Sequence, residues 1–306
     1  MKENKGLAML SFLPYPVKGV LAVTVYFLNT VVLCSVVILA AILKFAVPVS
    51  GFRWLCTRLL TQIAALWMSV NSATTKLFTR IEWDIRGLEN LERQQWYLVL
   101  SNHQSWVDIL VLQQVFNRKI PMLKFFLKKN LVWVPFLGVA WWALEFPFME
   151  RYSRQFIEKN PHLKGKDLEK TRRACEKFKQ MPVSVMNFVE GTRFTREKKK
   201  NHDGEFRNLL KPKAGGTAFV LGAMGEVLHK IIDVTIVYPN GTPSFWEFIS
   251  GRCGKVIVDI ELLPITEELS GDYFTDPVFK KKFCERLNRL WAEKDAKIEK
   301  LMQQDR

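Results

Sequence analysis

Between Lys18 and Lys44 the chain carries no charged residue. The 25 residues from Gly19 to Leu43 exceed the ~20 that a helix needs to cross a hydrocarbon core about 30 Å thick. The run lacks proline and shows no amphipathic period, so it has no polar face to turn toward water. A core helix of this length without a polar face is hard to bury in a domain of this size. The run is also longer than the apolar stretch of a signal peptide, and no A-x-A site follows it. The expectation is a membrane anchor over residues 1–79, with a span at about 19–43. A second uncharged stretch, 59–75, contains Gln62, Ser69, Asn71 and Ser72. It is too polar and short for a span and reads as an interfacial helix or the return arm of a hairpin. Pro48, Ser50 and Gly51 mark the turn between the two. Lys2, Lys5 and Lys18 stand on one side of the span and Lys44, Arg53 and Arg58 on the other, so loop charge gives no orientation.

The rest of the chain has the composition of a folded protein. Over 306 residues, 48% are hydrophobic and 25% charged, enough apolar surface to collapse. Sixteen Gly, 13 Pro and no repeat exclude collagen-like and low-complexity architectures. A net charge of +15 beside 22 Phe and 10 Trp fits two partners, an anionic lipid surface or nucleic acid stacked on aromatic rings. The apolar run favours lipid, and no nucleic acid is expected. Cys34, Cys56, Cys175, Cys253 and Cys284 are odd in number and contain no CxxC, so they read as free thiols in a reducing compartment.

From about residue 80 the pattern alternates strands and helices. Strands are expected at 82–86, 96–100, 183–189, 231–238 and 255–262, and helices at 106–116, 167–180 and 216–229. The stretch 125–148 is aromatic and broken at Pro135, Gly138 and Pro147. Loops are expected at 153–166 and 195–205, and a long polar helix at 276–302. The fold class that follows is α/β, a sheet flanked by helices, in a domain over 80–265 with a helical tail over 266–306.

Two segments place reactive groups where buried strands end, the edge at which open α/β sheets bind ligands. In the first, Leu98-Val99-Leu100 runs into Ser101-Asn102-His103, and Asp108 follows five residues after the histidine. On one continuous helix such residues sit about 140° apart and do not meet. A bend from loop to helix would let Asp108 fix the tautomer of His103 and leave its other nitrogen as a general base. A structural histidine capping a helix is the alternative. In the second, Phe188-Val189 runs into Glu190-Gly191-Thr192-Arg193. Gly191 permits close backbone approach, and Arg193 presents a planar fork suited to phosphate; a surface turn with a local ion pair is the alternative.

Together these segments resemble the glycerolipid O-acyltransferases of the lysophosphatidate acyltransferase type. The NHxxxxD motif of that family is matched by Asn102, His103 and Asp108. Its FPEGTR motif is matched by Phe188-Val189-Glu190-Gly191-Thr192-Arg193, with Val189 in place of proline. A motif ending in arginine is matched by Phe146–Arg151, with Glu150 before the arginine instead of the usual Asp, and a strand ending in proline by Val234–Pro239. The two departures look like the long-chain and lysocardiolipin-type branch, and the whole chain is similar to an inner-membrane acyltransferase group of gamma-proteobacteria.

The resemblance implies a central mixed sheet flanked by helices and direct acyl transfer from acyl-CoA or acyl-carrier protein to the free hydroxyl of 1-acylglycerol-3-phosphate. Acylation of lysophosphatidylglycerol or lysocardiolipin is the nearest alternative. No GxSxG elbow is present for a serine acyl-enzyme. His103 and Asp108 are implied as catalytic, and Arg151, Glu190, Gly191, Thr192, Arg193 and Lys213 as substrate-binding, with Glu190 orienting Arg193 or its loop. Neither a metal nor a cofactor is implied beyond the thioester co-substrate. Membrane lipids are the implied partners. The implied location is the inner membrane, with the catalytic domain facing the cytoplasm where the thioesters are. The run Lys198-Lys199-Lys200 reads as a solvated loop.

Overall fold

The computed structural model describes residues 9–10, 12–149, 166–200 and 205–305. Two long helices open it, α1 over Tyr15–Ala46 and α2 over Ser50–Phe78. Pro16 sits in the first turn of α1, where its missing N–H has no helical partner to lose. The second helix is far longer than the uncharged stretch 59–75 suggested, because Arg53, Arg58 and Lys76 lie inside it. Ser50 and Gly51 belong to its first turn, and only residues 47–49 separate the helices.

Of the polar residues that made the second stretch a poor span, Asn71 faces the first helix, and Trp67 and Thr75 add bonds across the pair. Asn29 Nδ2 donates to Asn71 Oδ1 at 2.8 Å, Trp67 Nε1 donates to Thr30 Oγ1 at 3.1 Å, and the Tyr26 and Thr75 hydroxyls are 2.7 Å apart. Such bonds join helices where apolar side chains alone give little selectivity.

α1 is long and apolar enough to cross a membrane. It is buried at two places, through Lys18 and Ala22 near its start and through Cys34, Val37, Ala41 and Lys44 toward its end. Its outward face leaves Val20, Phe27, Leu28, Val32, Leu39 and Ile42 exposed.

The α/β part contains strands β1 (Glu82–Arg86), β2 (Trp96–Ser101), β3 (Leu123–Phe125), β4 (Leu127–Lys128), β5 (Phe148–Met149), β6 (Ser184–Phe188), β7 (Leu228–Val237) and β8 (Lys255–Pro264). Its helices are α3 (Val107–Phe116), α4 (Leu137–Ala143), α5 (Lys166–Phe178), α6 (Arg196–Lys200), α7 (Ala214–Met224), α8 (Phe245–Ser250) and α9 (Pro277–Gln304). Six strands form one sheet in the order β1-β8-β7-β2-β6-β3. The β7–β8 pair is antiparallel and the other pairs are parallel, so the sheet is mixed as expected. A separate parallel pair joins β4 to β5.

Alternation along β2 divides the core between the two faces. Tyr97 and Val99 pack with Val111, Leu112 and Phe116 of α3, Phe248 of α8, and Ala22 and Phe78 of the hairpin. Leu98 and Leu100 pack with Phe178, Val220 and Met224, and with Phe283, Leu287 and Trp291 of α9. The C-terminal helix is therefore part of the same core as the sheet. Lys294 of α9 is buried against β7, where its ammonium lies 2.8 Å from Asp233 Oδ1 and donates to Val234 O at 2.6 Å.

Several expected boundaries move. The helix expected at 216–229 ends at Met224, before Gly225, and Leu228 already belongs to β7; the short apolar run there carries no period to separate the states. Residues 196–200, expected as loop, form a helical turn. α8 was not anticipated, although Ser244 and Glu247 form a capping box. The aromatic stretch divides. Trp133 and Trp142 are exposed, whereas Phe146 is buried and packs with Ala140, Ala143 and the middle of α1.

Candidate active site

Strands β2, β6 and β7 run parallel and adjacent, so their C-terminal ends meet at one edge of the sheet. The segments after these three ends build the site.

After β2, Asn102 turns inward and its amide continues the ladder to β7. Nδ2 donates to Ile236 O and Oδ1 accepts from Ile236 N, both at 2.9 Å. His103 follows in the bend before α3. Asp108, in the first turn of α3, reaches back with Oδ2 2.8 Å from His103 Nδ1. The bend that the five-residue spacing required is present. The same oxygen accepts from Gln104 N at 2.6 Å and Ser105 N at 2.9 Å, while Oδ1 accepts from the Tyr238 hydroxyl at 2.6 Å. Asp108 is fully buried, and the His103 side chain is 11% exposed. With Nδ1 engaged, Nε2 is the nitrogen left to face a substrate.

The end of β6 and the turn after it grip the histidine at three points. The Phe188 ring stacks on the imidazole at 3.9 Å and 14°, Glu190 Oε1 accepts from His103 N at 2.9 Å, and Phe194 N donates to His103 O at 2.7 Å. Glu190 Oε2 accepts from Leu210 N at 2.9 Å. Burial pushes the Glu190 carboxyl up to about 7, against the pull of the two backbone donors. Both its oxygens accept from backbone N–H groups, and it ties the His103 loop and the chain at Leu210 together.

Arg193 stacks instead on Trp106, its guanidinium carbon 4.6 Å from the ring centroid. Gly191 has φ +68°, and a Cβ there would lie 3.0 Å from Lys213 Cδ. That contact and the conformation explain the glycine. Lys213, the residue before α7, therefore lies against the turn, with its N–H on Val189 O at 2.8 Å. Thr192 Oγ1 accepts from Lys198 Nζ at 2.7 Å, and the same ammonium bonds Arg193 O at 3.1 Å. Lys198 is thus folded onto the turn instead of lying in a solvated loop.

The structure brings His103, Asp108, Glu190, Gly191, Thr192, Arg193 and Lys213 to one edge. Arg151 lies outside the described residues. Sequence reasoning missed Phe188 and Tyr238 as partners of the dyad, and Trp106 and Lys198 as supports of the arginine turn. Their signal is spatial. Tyr238 is 130 residues from Asp108, and strand order alone brings them together. Among the described residues no group of three or more His, Cys, Asp or Glu side chains stands ready to hold a metal ion.

The family model described as Acyltransferase matches residues 82–239, just over half of the chain. The chain is 26% identical over 224 residues to 1-acyl-sn-glycerol-3-phosphate acyltransferase 3 of Arabidopsis thaliana, covering 68% of this chain and 54% of that one. It is 28% identical over 221 residues to 1-acyl-sn-glycerol-3-phosphate acyltransferase of Saccharomyces cerevisiae, covering 71% and 64%. It is also 24% identical over 254 residues to the 2-acyl-1-lysophosphatidylinositol acyltransferase of that yeast, covering 66% and 60%. The chain thus spans between about half and two thirds of these relatives. The crystal structure of the 1-acyl-sn-glycerophosphate acyltransferase PlsC from Thermotoga maritima shares the fold. Its TM-score is 0.50 at 19% identity, over 91% of this chain and 96% of that one. Fold, motif order and family model agree, and the chain belongs to the Acyltransferase family.

Proposed function

We propose that this protein transfers an acyl chain from a thioester, acyl-CoA or acyl-carrier protein, to the free hydroxyl of 1-acylglycerol-3-phosphate, giving phosphatidate. The observation that carries the reading is the His103–Asp108 pair at the sheet edge, with Nδ1 taken up by the carboxylate and two cations, Arg193 and Lys213, at the neighbouring turn. Nε2 of His103 takes the proton of the acceptor hydroxyl as its oxygen attacks the thioester carbonyl. The new ester forms as the carbon–sulfur bond breaks, and the imidazolium returns the proton to the departing thiolate. Asp108 holds the ring in the Nδ1–H tautomer and stabilises the imidazolium. Arg193, kept flat by Trp106, and Lys213 hold the acceptor phosphate.

The outward face of α1, with Trp133 and Trp142, seats the protein in a bilayer, the phase in which both acceptor and product reside. Cytosolic thioesters place the catalytic part on the cytoplasmic side of the inner membrane, and a reporter fused at Arg306 should read as cytoplasmic.

The test is acyl transfer to a panel of acceptors: lysophosphatidate, lysophosphatidylglycerol, lysophosphatidylinositol and lysocardiolipin, each with both donors. Lysophosphatidate should give the highest kcat/KM, since its phosphomonoester offers the most charge to the two cations. Preference for a phosphodiester acceptor would keep the chemistry and overturn the acceptor. Transfer to none would overturn the reading.

A further inference from the structure

We infer that Tyr238 is a positioning residue that sets the proton affinity of His103 through Asp108, an inference that rests on His103 being the base. The Tyr238 hydroxyl donates to Asp108 Oδ1 at 2.6 Å, and both residues are buried. The other three groups on this carboxylate, His103 Nδ1, Gln104 N and Ser105 N, all meet Oδ2. Among the described residues Tyr238 is thus the one donor to Oδ1. Burial and the neighbouring Asp108 charge hold its phenol well above the ordinary value, so it remains a donor across the working pH range.

The placement is specific. Tyr238 follows β7, two residues beyond Ile236, whose backbone Asn102 grips. The end of one strand therefore holds both the His103 loop, through Asn102, and the carboxylate, through Tyr238. A donor on Oδ1 draws charge away from Oδ2. Asp108 then binds the imidazolium less strongly, and His103 is poised to give its proton to the leaving group as well as to take one. Other groups around the ring do not substitute for this. Glu190 bonds the His103 backbone, Arg193 lies on Trp106, Lys213 lies on Gly191, and Cys253, near Tyr238, is a thiol that burial pushes up to about 12.

The experiment is an NMR titration of the imidazole of His103 in the full chain in detergent micelles, with labelled histidine. The chain has four histidines, and His103→Asn assigns the signal. Tyr238→Phe should raise the His103 pKa by about one unit, a tenfold gain in proton affinity. Replacement of Tyr238 by 3-fluorotyrosine keeps the ring and the hydroxyl and strengthens the donor, and should lower the pKa. In the transfer assay the acidic limb of kcat/KM should follow both shifts, with kcat of Tyr238→Phe down about tenfold and acceptor KM unchanged. An unmoved His103 pKa in the folded fluorotyrosine protein would overturn the inference. A chain that shows both shifts yet transfers no acyl group would instead overturn the proposed function.

Discussion

At the scale of single residues, Glu190 and Arg193 are neighbours in sequence with opposite tasks. Glu190 is buried with its carboxyl raised from 4.5 to about 7 by desolvation. A raised carboxyl means that the folded protein holds the proton more tightly than the unfolded chain. The stabilisation it gives is complete below about pH 4.5 and is lost as pH rises toward 7. Relative to Glu190→Gln, the wild type should therefore be more stable at pH 5 than at pH 8, read from denaturation midpoints at both; equal differences at the two pH values would contradict this. Arg193 faces outward on Trp106. Arg193→Ala should raise acceptor KM by about tenfold or more with kcat little changed, as expected for the loss of a charged hydrogen bond to bound phosphate. A fall in kcat at constant KM would place Arg193 in the chemistry instead. His103, Asp108 and the Glu190–Arg193 turn were legible in sequence because each set is contiguous. The contacts that hold them, Phe188 on His103 and Tyr238 on Asp108, were not, because they depend on which strands are neighbours.

At the scale of elements, the expected long polar helix of the tail is present as the 28-residue α9, and its inner face packs on the sheet: Trp291 is fully buried and Lys294 enters the core to meet Asp233. Sequence gives no warning, since a lysine is ordinarily exposed. Lys294→Ala leaves the Asp233 carboxylate without its cation and should cost about 3–5 kcal/mol. The double variant Lys294→Met with Asp233→Leu should recover most of that loss. Urea denaturation in detergent measures both, and a single variant as stable as wild type would show that the pair contributes nothing. Strands β1, β2, β6 and β8 were legible from alternation and buried apolar runs. The start of β7 was not, because helix passes to strand with only residues 225–227 between them.

At the scale of the whole molecule, the hairpin and the catalytic part are built against each other. α1 packs beside α8 near one end, where Tyr26 meets Phe245, and beside α4 near the other, where Phe45 stacks on Trp142 at 5.0 Å. The apolar run was legible as a helix long enough to cross a membrane. Its buried positions were not, because the small residues among them, Ala22, Cys34, Ala40 and Ala41, are as apolar as the face opposite. The paired substitution Phe27→Glu with Leu39→Glu, both on the exposed face, should shift the protein from the membrane pellet toward the soluble fraction after alkaline extraction. Full retention in the pellet would remove α1 from the account of how the protein meets lipid. In the proposed reaction His103 is the base of an acyl transfer carried out at the common edge of β2, β6 and β7. Its most direct measurement is the rate of labelled acyl transfer to lysophosphatidate by membranes holding equal amounts of wild type and His103→Ala, with both donors. The account predicts a loss of about 10²–10⁴-fold in kcat with the variant still folded and membrane-bound. A variant that transfers at the wild-type rate would contradict it.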